Sequence, residues 1–163
     1  MPELQRLRAD HAPAVLAFEL ANRGYFAAFV NDRGDEYFDQ FAERHNAMLA
    51  EQDTGACACY VLAAEDGSVL GRFNLYDIKD GTAVLGYRVA AHVAGHGVAT
   101  ATVRELCGLA ASHHGLRTLK AATSHENSAS QKVLARAGFT EVGPADPAEI
   151  GGKQGTWFQR DLV

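Results

Sequence analysis

Cysteine is scarce in this chain and odd in number. Cys57, Cys59 and Cys107 exclude an even disulfide framework. Cys57 and Cys59 stand two apart in a strand-like run, on one face and poorly placed to bridge each other, and no zinc-ligand spacing is visible. Buried thiols in a reducing cytoplasm are the expected state. Long apolar runs are missing as well: none approaches a transmembrane helix, and the opening MPELQRLRADH has no signal-peptide hydrophobic region, so no membrane partner is expected. Positive charge is short too, with 15 Lys and Arg against 20 Asp and Glu leaving −5. A duplex nucleic-acid partner would normally demand a basic face, so that class is disfavoured.

What remains is enough for one globular domain over residues 1–163, since 47% of the chain is hydrophobic and can fill a core. The charge is uneven. Residues 10–53 hold nine acids and three bases, while the rest holds eleven acids and twelve bases. An acidic N-terminal half suits a cationic partner, although acidic helix faces also serve simply as solvated surface.

Periodicity orders the elements. ELQRLR (3–8) alternates as a strand; residues 11–23 read as a helix, with Asp10 as cap and Gly24 as stop. Residues 35–52 read as a second amphipathic helix. CACYVLAAE, SVLGRFNLYDI and TAVLGYRVA form an antiparallel meander punctuated by EDGS and KDG turns. A helix ending at Gly115, a strand at 116–124, a helix stopped by Gly138 and two last strands follow. The strands at 82–90 and 116–124 are joined by a helix, so they should lie parallel in a mostly antiparallel sheet. The class is α+β, or α/β if the crossover is weighted.

VAGHGVAT (93–100) puts glycines where a helix is about to start, although glycine is a poor helix residue. A helix start bares unpaired N–H groups with partial positive charge, so the stretch reads as a phosphate cradle or as a plain tight turn. A P-loop would need Gly-Lys-Ser/Thr, and a dinucleotide fingerprint a third glycine where Thr100 stands.

The element order, with LGYRVAAHVAGHGVATATVRELC and ENSASQKVLARAGF, resembles the GCN5-related N-acetyltransferases (GNAT), and within them the ribosomal-protein N-terminal acetyltransferase branch. The resemblance spans nearly the whole chain and is most specific over 82–143. It implies acetyl-CoA as cosubstrate with no metal, and direct attack by a primary amine of a protein N-terminus or small molecule. It implies that the amides of Gly95, His96, Gly97, Val98, Ala99 and Thr100 wrap the pyrophosphate, with Ala94 where relatives carry Gln or Arg. The backbone of Tyr87, Arg88 and Val89 would pair with the pantetheine arm, and Asn127 would face it; Arg88 also reads as a surface arginine, and Asn127 as a helix cap.

The usual acid–base groups are replaced by Leu134, Val84 and Ala122. Three readings stay open: water deprotonates the amine, Ser130 donates while Glu149 accepts, or the chain binds acyl-CoA without fast chemistry. His125, at the strand end before Glu126 and Asn127, is a further candidate base. The first two helices would form the acceptor wall, which makes Asn22, Arg23, Tyr25 and Phe26 acceptor-site candidates. The rival to an N-acetyltransferase is a non-catalytic acyl-CoA-binding or interaction protein of the same fold. A cytoplasmic monomer or homodimer is expected, acting on a cationic amine.

Overall fold

Residues 57–62 show why the sheet is covered on both sides. Ala58, Tyr60 and Leu62 join one buried cluster, while Cys57, Cys59 and Val61 join another. Successive side chains of a strand point to opposite faces, so this strand is buried twice over. The computed structural model describes residues 1–162 of the chain.

The strands are β1 (Glu3–Arg6), β2 (Ala58–Ala63), β3 (Val69–Lys79), β4 (Thr82–Val89), β5 (Thr118–Ser124), β6 (Thr140–Ala145) and β7 (Gly155–Asp161). Among the described residues they form one sheet in the order β1-β2-β3-β4-β5-β7-β6. Each neighbouring pair is antiparallel except β4 and β5, the parallel pair that the crossover demanded. The crossover is α5 (Val98–His114), and α6 (Ser128–Arg136) follows β5. Val103, Leu106 and Ala110 of α5 and Leu134 of α6 pack on Phe73, Leu75, Leu85, Leu119 and Phe158 of one face. The other face is covered by α1 (Ala12–Ala21), α2 (Arg23–Ala27), α3 (Asp35–Asp39) and α4 (Phe41–Asp53), through Val15, Phe18, Phe26, Tyr37 and Phe41.

Three local expectations need correction. Asp10 does not cap the first helix: a 3₁₀ turn, Ala9–His11, intervenes, and the Asp10 carboxylate accepts from Arg8 Nε at 3.1 Å. Gly24 does not stop that helix but lies inside α2. The stop is Asn22, with φ −109°, whose Nδ2 donates to the Phe18 carbonyl at 2.9 Å. The expected helix over 35–52 is two helices, parted at Gln40, whose φ of −105° and ψ of 22° leave the helical region. Tyr37 sits edge-on to both Phe38 and Phe41, and its hydroxyl accepts from Arg72 Nη1 at 3.2 Å. That tertiary docking has no local signal in the sequence.

Candidate active site

Between β4 and β5 the sheet comes apart. The two strands pair only at Thr82–Thr118, Ala83–Leu119 and Val84–Lys120. Each stays a strand beyond that point because its other edge is satisfied: β4 by β3 as far as Val89–Gly71, and β5 by β7 as far as Ser124–Gly155. The inner edge of β4 from Leu85 to Val89 therefore faces β5 without a ladder. Backbone polar groups in such a place need partners, and a ligand with amides of its own could supply them.

A cavity of about 430 Å³ runs from this gap to the start of α5. Its floor is Tyr87, Arg88 and Val89; its far end is Gly95, Gly97, Ala99 and Thr100; Tyr25 and Phe26 form one wall. Gly97 caps α5 with φ 76° and ψ 1°, and Gly95 has φ 81°, so both hold the left-handed conformation that favours glycine. A Cβ at either position would meet nothing within 4 Å, so no protein group requires the glycines for space. The first intrahelical bond is Ala101 N–H to the Gly97 carbonyl at 3.1 Å, and the amides from Gly95 to Thr100 find no backbone acceptor among the described residues. Aligned, unpaired donors at a helix start attract an anion. The cradle and the open strand edge together fit a pyrophosphate followed by an amide-bearing arm. His96 is exposed and does not border the cavity, while the Val98 side chain packs on the core.

A second cavity, about 410 Å³, occupies the gap itself and shares Phe29, Val30, Tyr87, Asn127 and Ser130 with the first. Asn127 caps α6, its Oδ1 accepting from Ser130 N–H at 3.1 Å. Ser130 Oγ lies 3.2 Å from Tyr87 Oη, and the phenol ring stacks on Phe73 at 5.6 Å. Burial pushes the Tyr87 hydroxyl up to about 12, against a small opposing effect of the Ser130 bond, so it stays protonated. Glu149 borders this cavity from the β6–β7 connection, in a 3₁₀ turn (Pro147–Ile150) capped by Asp146, and also lines a wider opening behind it with Asp77 and Lys120. Val84 and Ala122 line that opening, and Leu134 is core at 1% exposure. His125 stands apart, exposed and bonded through Nε2 to Thr156 Oγ1 at 2.9 Å.

The proposed acceptor residues divide. Tyr25 and Phe26 line the cavity. Asn22 is buried and fully engaged: its Oδ1 accepts from Ala91 N–H at 2.9 Å, tying the wall to the chain ahead of the glycines. Arg23 is held by Asp32 at 2.7 Å and Asp35 at 2.9 Å, outside the cavity. Arg88 is no plain surface arginine. Its side chain is 22% exposed, lies over the Phe26 ring at 5.0 Å and approaches Glu19, which is 1% exposed. Glu19 escaped the sequence reading, as did Lys132 and Arg136, which border the first cavity from α6. Basic residues on one side of a short amphipathic helix near the glycine-cornered helix start were the available signal for that pair.

The family model described as an acetyltransferase (GNAT) domain matches residues 3–140. A probable N-acetyltransferase of Bacillus subtilis (strain 168), YjcK, is 27% identical over 145 residues, 85% of this chain and 80% of its own. Among solved structures, the ribosomal-protein-S5-alanine acetyltransferase of Vibrio fischeri superposes with a TM-score of 0.91 at 18% identity, covering 99% of this chain and 93% of its own. The spermidine N-acetyltransferase of Vibrio cholerae, solved with CoA and spermine, gives 0.81 at 16% identity, covering 99% and 95%. The parted strands and the glycine-cornered helix start thus sit within a domain matched over most of its length, and the chain belongs to the GNAT acetyltransferases, an acetyl-CoA-dependent acyltransferase family.

Proposed function

We propose that this protein moves the acetyl group of acetyl-CoA to a primary amine by direct attack. The observation that carries the reading is the continuous path from the unpaired amides of Gly95–Thr100 to the open edge of β4. Those amides hold the pyrophosphate, the edge from Leu85 to Val89 pairs with the pantetheine amides, and Asn127 closes the arm's other side. Lys132 and Arg136 add positive charge along the same cavity. Acetyl-CoA supplies an activated thioester; the chain supplies orientation and proton handling. Ser130, backed by the Tyr87 hydroxyl, donates a hydrogen bond toward the departing sulfur. Glu149 accepts a proton from the arriving ammonium at the mouth that it shares with Asp77.

Asp77 and Glu149 at that mouth, against one cation in Lys120, support a cationic acceptor end more than the acidic stretch 10–53 does. Asp32 and Asp35 are spent on Arg23, and Glu19 is buried on Arg33 and Arg72. Buried free cysteines support a reducing cytoplasm, and a monomer or homodimer serves this chemistry equally. The test is acetyl-CoA consumption with free-thiol release across a panel of peptides, polyamines and amino acids. Turnover with at least one amine is expected, and thioester left intact with every amine refutes the proposal.

A further inference from the structure

Glu19 has more partners than one carboxylate can neutralise. Its Oε1 accepts from Arg33 Nε at 2.9 Å, and its Oε2 accepts from Arg33 Nη2 at 3.2 Å and Arg72 Nη1 at 2.8 Å. Arg88 Nη1 is third in line, 3.5 Å from Oε1. Among the described residues no other carboxylate forms an ion pair with any of the three arginines, so three guanidinium groups share a single negative charge. Arg72 is 4% exposed, and its Nε is buried without a hydrogen-bond partner. Arg72 is the buried partner, while Arg33 and Arg88 carry the surplus charge at side chains 29% and 22% exposed, where water or an anion can meet it. Burial first, and then the nearby Arg33 charge, depress the Arg88 guanidinium below its ordinary value.

Holding α1 to β3 needs only the Glu19–Arg72 pair, and Arg33 ties down the α2–α3 connection. Arg88 adds no hydrogen bond to this set. It does border the first cavity, between the backbones of Tyr87 and Val89 and against the Phe26 wall. The surplus charge therefore meets the cavity at Arg88, beside the open strand edge.

We propose that Arg88 receives a carboxylate carried by one of the two reacting molecules. The acceptor carries it if the acceptor is an amino acid, and the acyl chain carries it if the donor is a dicarboxylic acyl thioester. The inference rests on the acyltransferase reading of the cavity. The reaction is unchanged: the N–C bond forms, the C–S bond breaks, the thiolate gains one proton, and the ammonium loses two, one of them to solvent. A guanidinium fork matches a carboxylate with two parallel N–H···O bonds.

The experiment uses the full chain and compares a panel of amino acids with their α-amides as acceptors, and succinyl-CoA with acetyl-CoA as donors. The expected result is a wild-type preference for the carboxylate member of one pair. Arg88→Gln should reduce it about 10- to 100-fold, the usual worth of hydrogen bonds to a charged group, with Arg88→Lys falling between. Preference for amino acids over amides identifies the acceptor as the source, and preference for succinyl-CoA identifies the acyl chain. Equal use of both members of each pair overturns the inference. So does an equal loss of acetyl-CoA and succinyl-CoA affinity in Arg88→Gln, which would assign the charge to the coenzyme. If no thiol is released with any pair, the acyltransferase reading has failed, and calorimetry still decides the carboxylate. Titration of amino acids and amides into CoA-loaded protein, and of the two thioesters into free protein, must then show the Arg88-dependent preference or refute it.

Discussion

Replacing Gly97 by glutamate separates the fold from the phosphate cradle proposed at the α5 start. The backbone there sits at φ 76°, where a side chain costs about 1–2 kcal/mol. A Cβ meets nothing within 4 Å, so no clash adds to that strain. For a chain of this size each kcal/mol lowers the melting temperature by roughly 2–4 °C, so Gly97→Glu should melt about 2–8 °C lower and remain folded at room temperature. Its carboxylate would stand among the unpaired amides of the α5 start. At about 4 Å and an effective dielectric near 20, one charge pair repels by about 4 kcal/mol, or close to three orders of magnitude in affinity. Gly97→Ala carries the strain without the charge and should lose less than about tenfold. Calorimetric titration with acetyl-CoA, beside far-UV circular dichroism, reads both variants. A folded Gly97→Glu protein with wild-type affinity would refute the cradle. Equal losses in the two variants would refute the electrostatic argument and leave conformation as the cause.

Glu149→Gln should lower turnover by about 10²-fold or more at neutral pH while leaving acetyl-CoA affinity intact, with partial rescue at higher pH as the amine arrives deprotonated. Wild-type turnover in Glu149→Gln from about pH 6 to 9 would make Glu149 a solvated loop residue and pass the base to water, since His125 stands apart. Ser130→Ala should cost less, about tenfold in turnover, since water can also protonate a thiolate; an effect larger than that of Glu149→Gln would reverse the ranking. Glu19→Ala strands three guanidinium groups and should destabilise the fold by about 3–5 kcal/mol in urea titrations at neutral pH. Burial raises the Glu19 carboxyl, but Arg33 and Arg72 outweigh it and hold the group below its ordinary value of 4.5. Its contribution is therefore full above the unfolded value and fades as pH falls through the folded one. The wild-type and Glu19→Ala stabilities should converge in acid, and a constant difference down to about pH 2 would contradict the assignment.

The glycine-cornered start of α5 and the capped start of α6 were readable because their signals are local. Gly95 and Gly97 declare a left-handed turn ahead of a helix, and Asn127 three residues before Ser130 declares a cap. The alternation of Cys57, Cys59 and Val61 with Ala58, Tyr60 and Leu62 declares a strand, and its double burial follows from both sets being apolar. Glu19 was not readable. In AFELAN it looks like a helix-surface acid, and its three partners lie on the α2–α3 connection, β3 and β4. The gap after Val84 is equally silent in sequence, since no residue there forbids pairing. β5 keeps its pairing with β7 all along the gap, at a spacing where a Cβ on Gly155 would come within 2.3 Å of the Thr123 carbonyl oxygen. Asn22, too, looks like a recognition residue beside Arg23, and only the tertiary contact with Ala91 makes it a bracket.

Among the described residues, three residue pairs stitch β1–β4 to β5–β7 within the sheet. Mechanically the molecule is two sheets sharing a short seam, with the α5–α6 contact as a strap across one face. An arm lying along Leu85–Val89 would lengthen that seam and serve as a borrowed strand. Ligand at about a hundredfold over its dissociation constant would then add about 2.7 kcal/mol to global stability. The gain would fall unevenly, because amide exchange along the inner edges of β4 and β5 would slow more than exchange in β1 or β6. Cosubstrate placed there would close the parted edge and stiffen the join between the two halves.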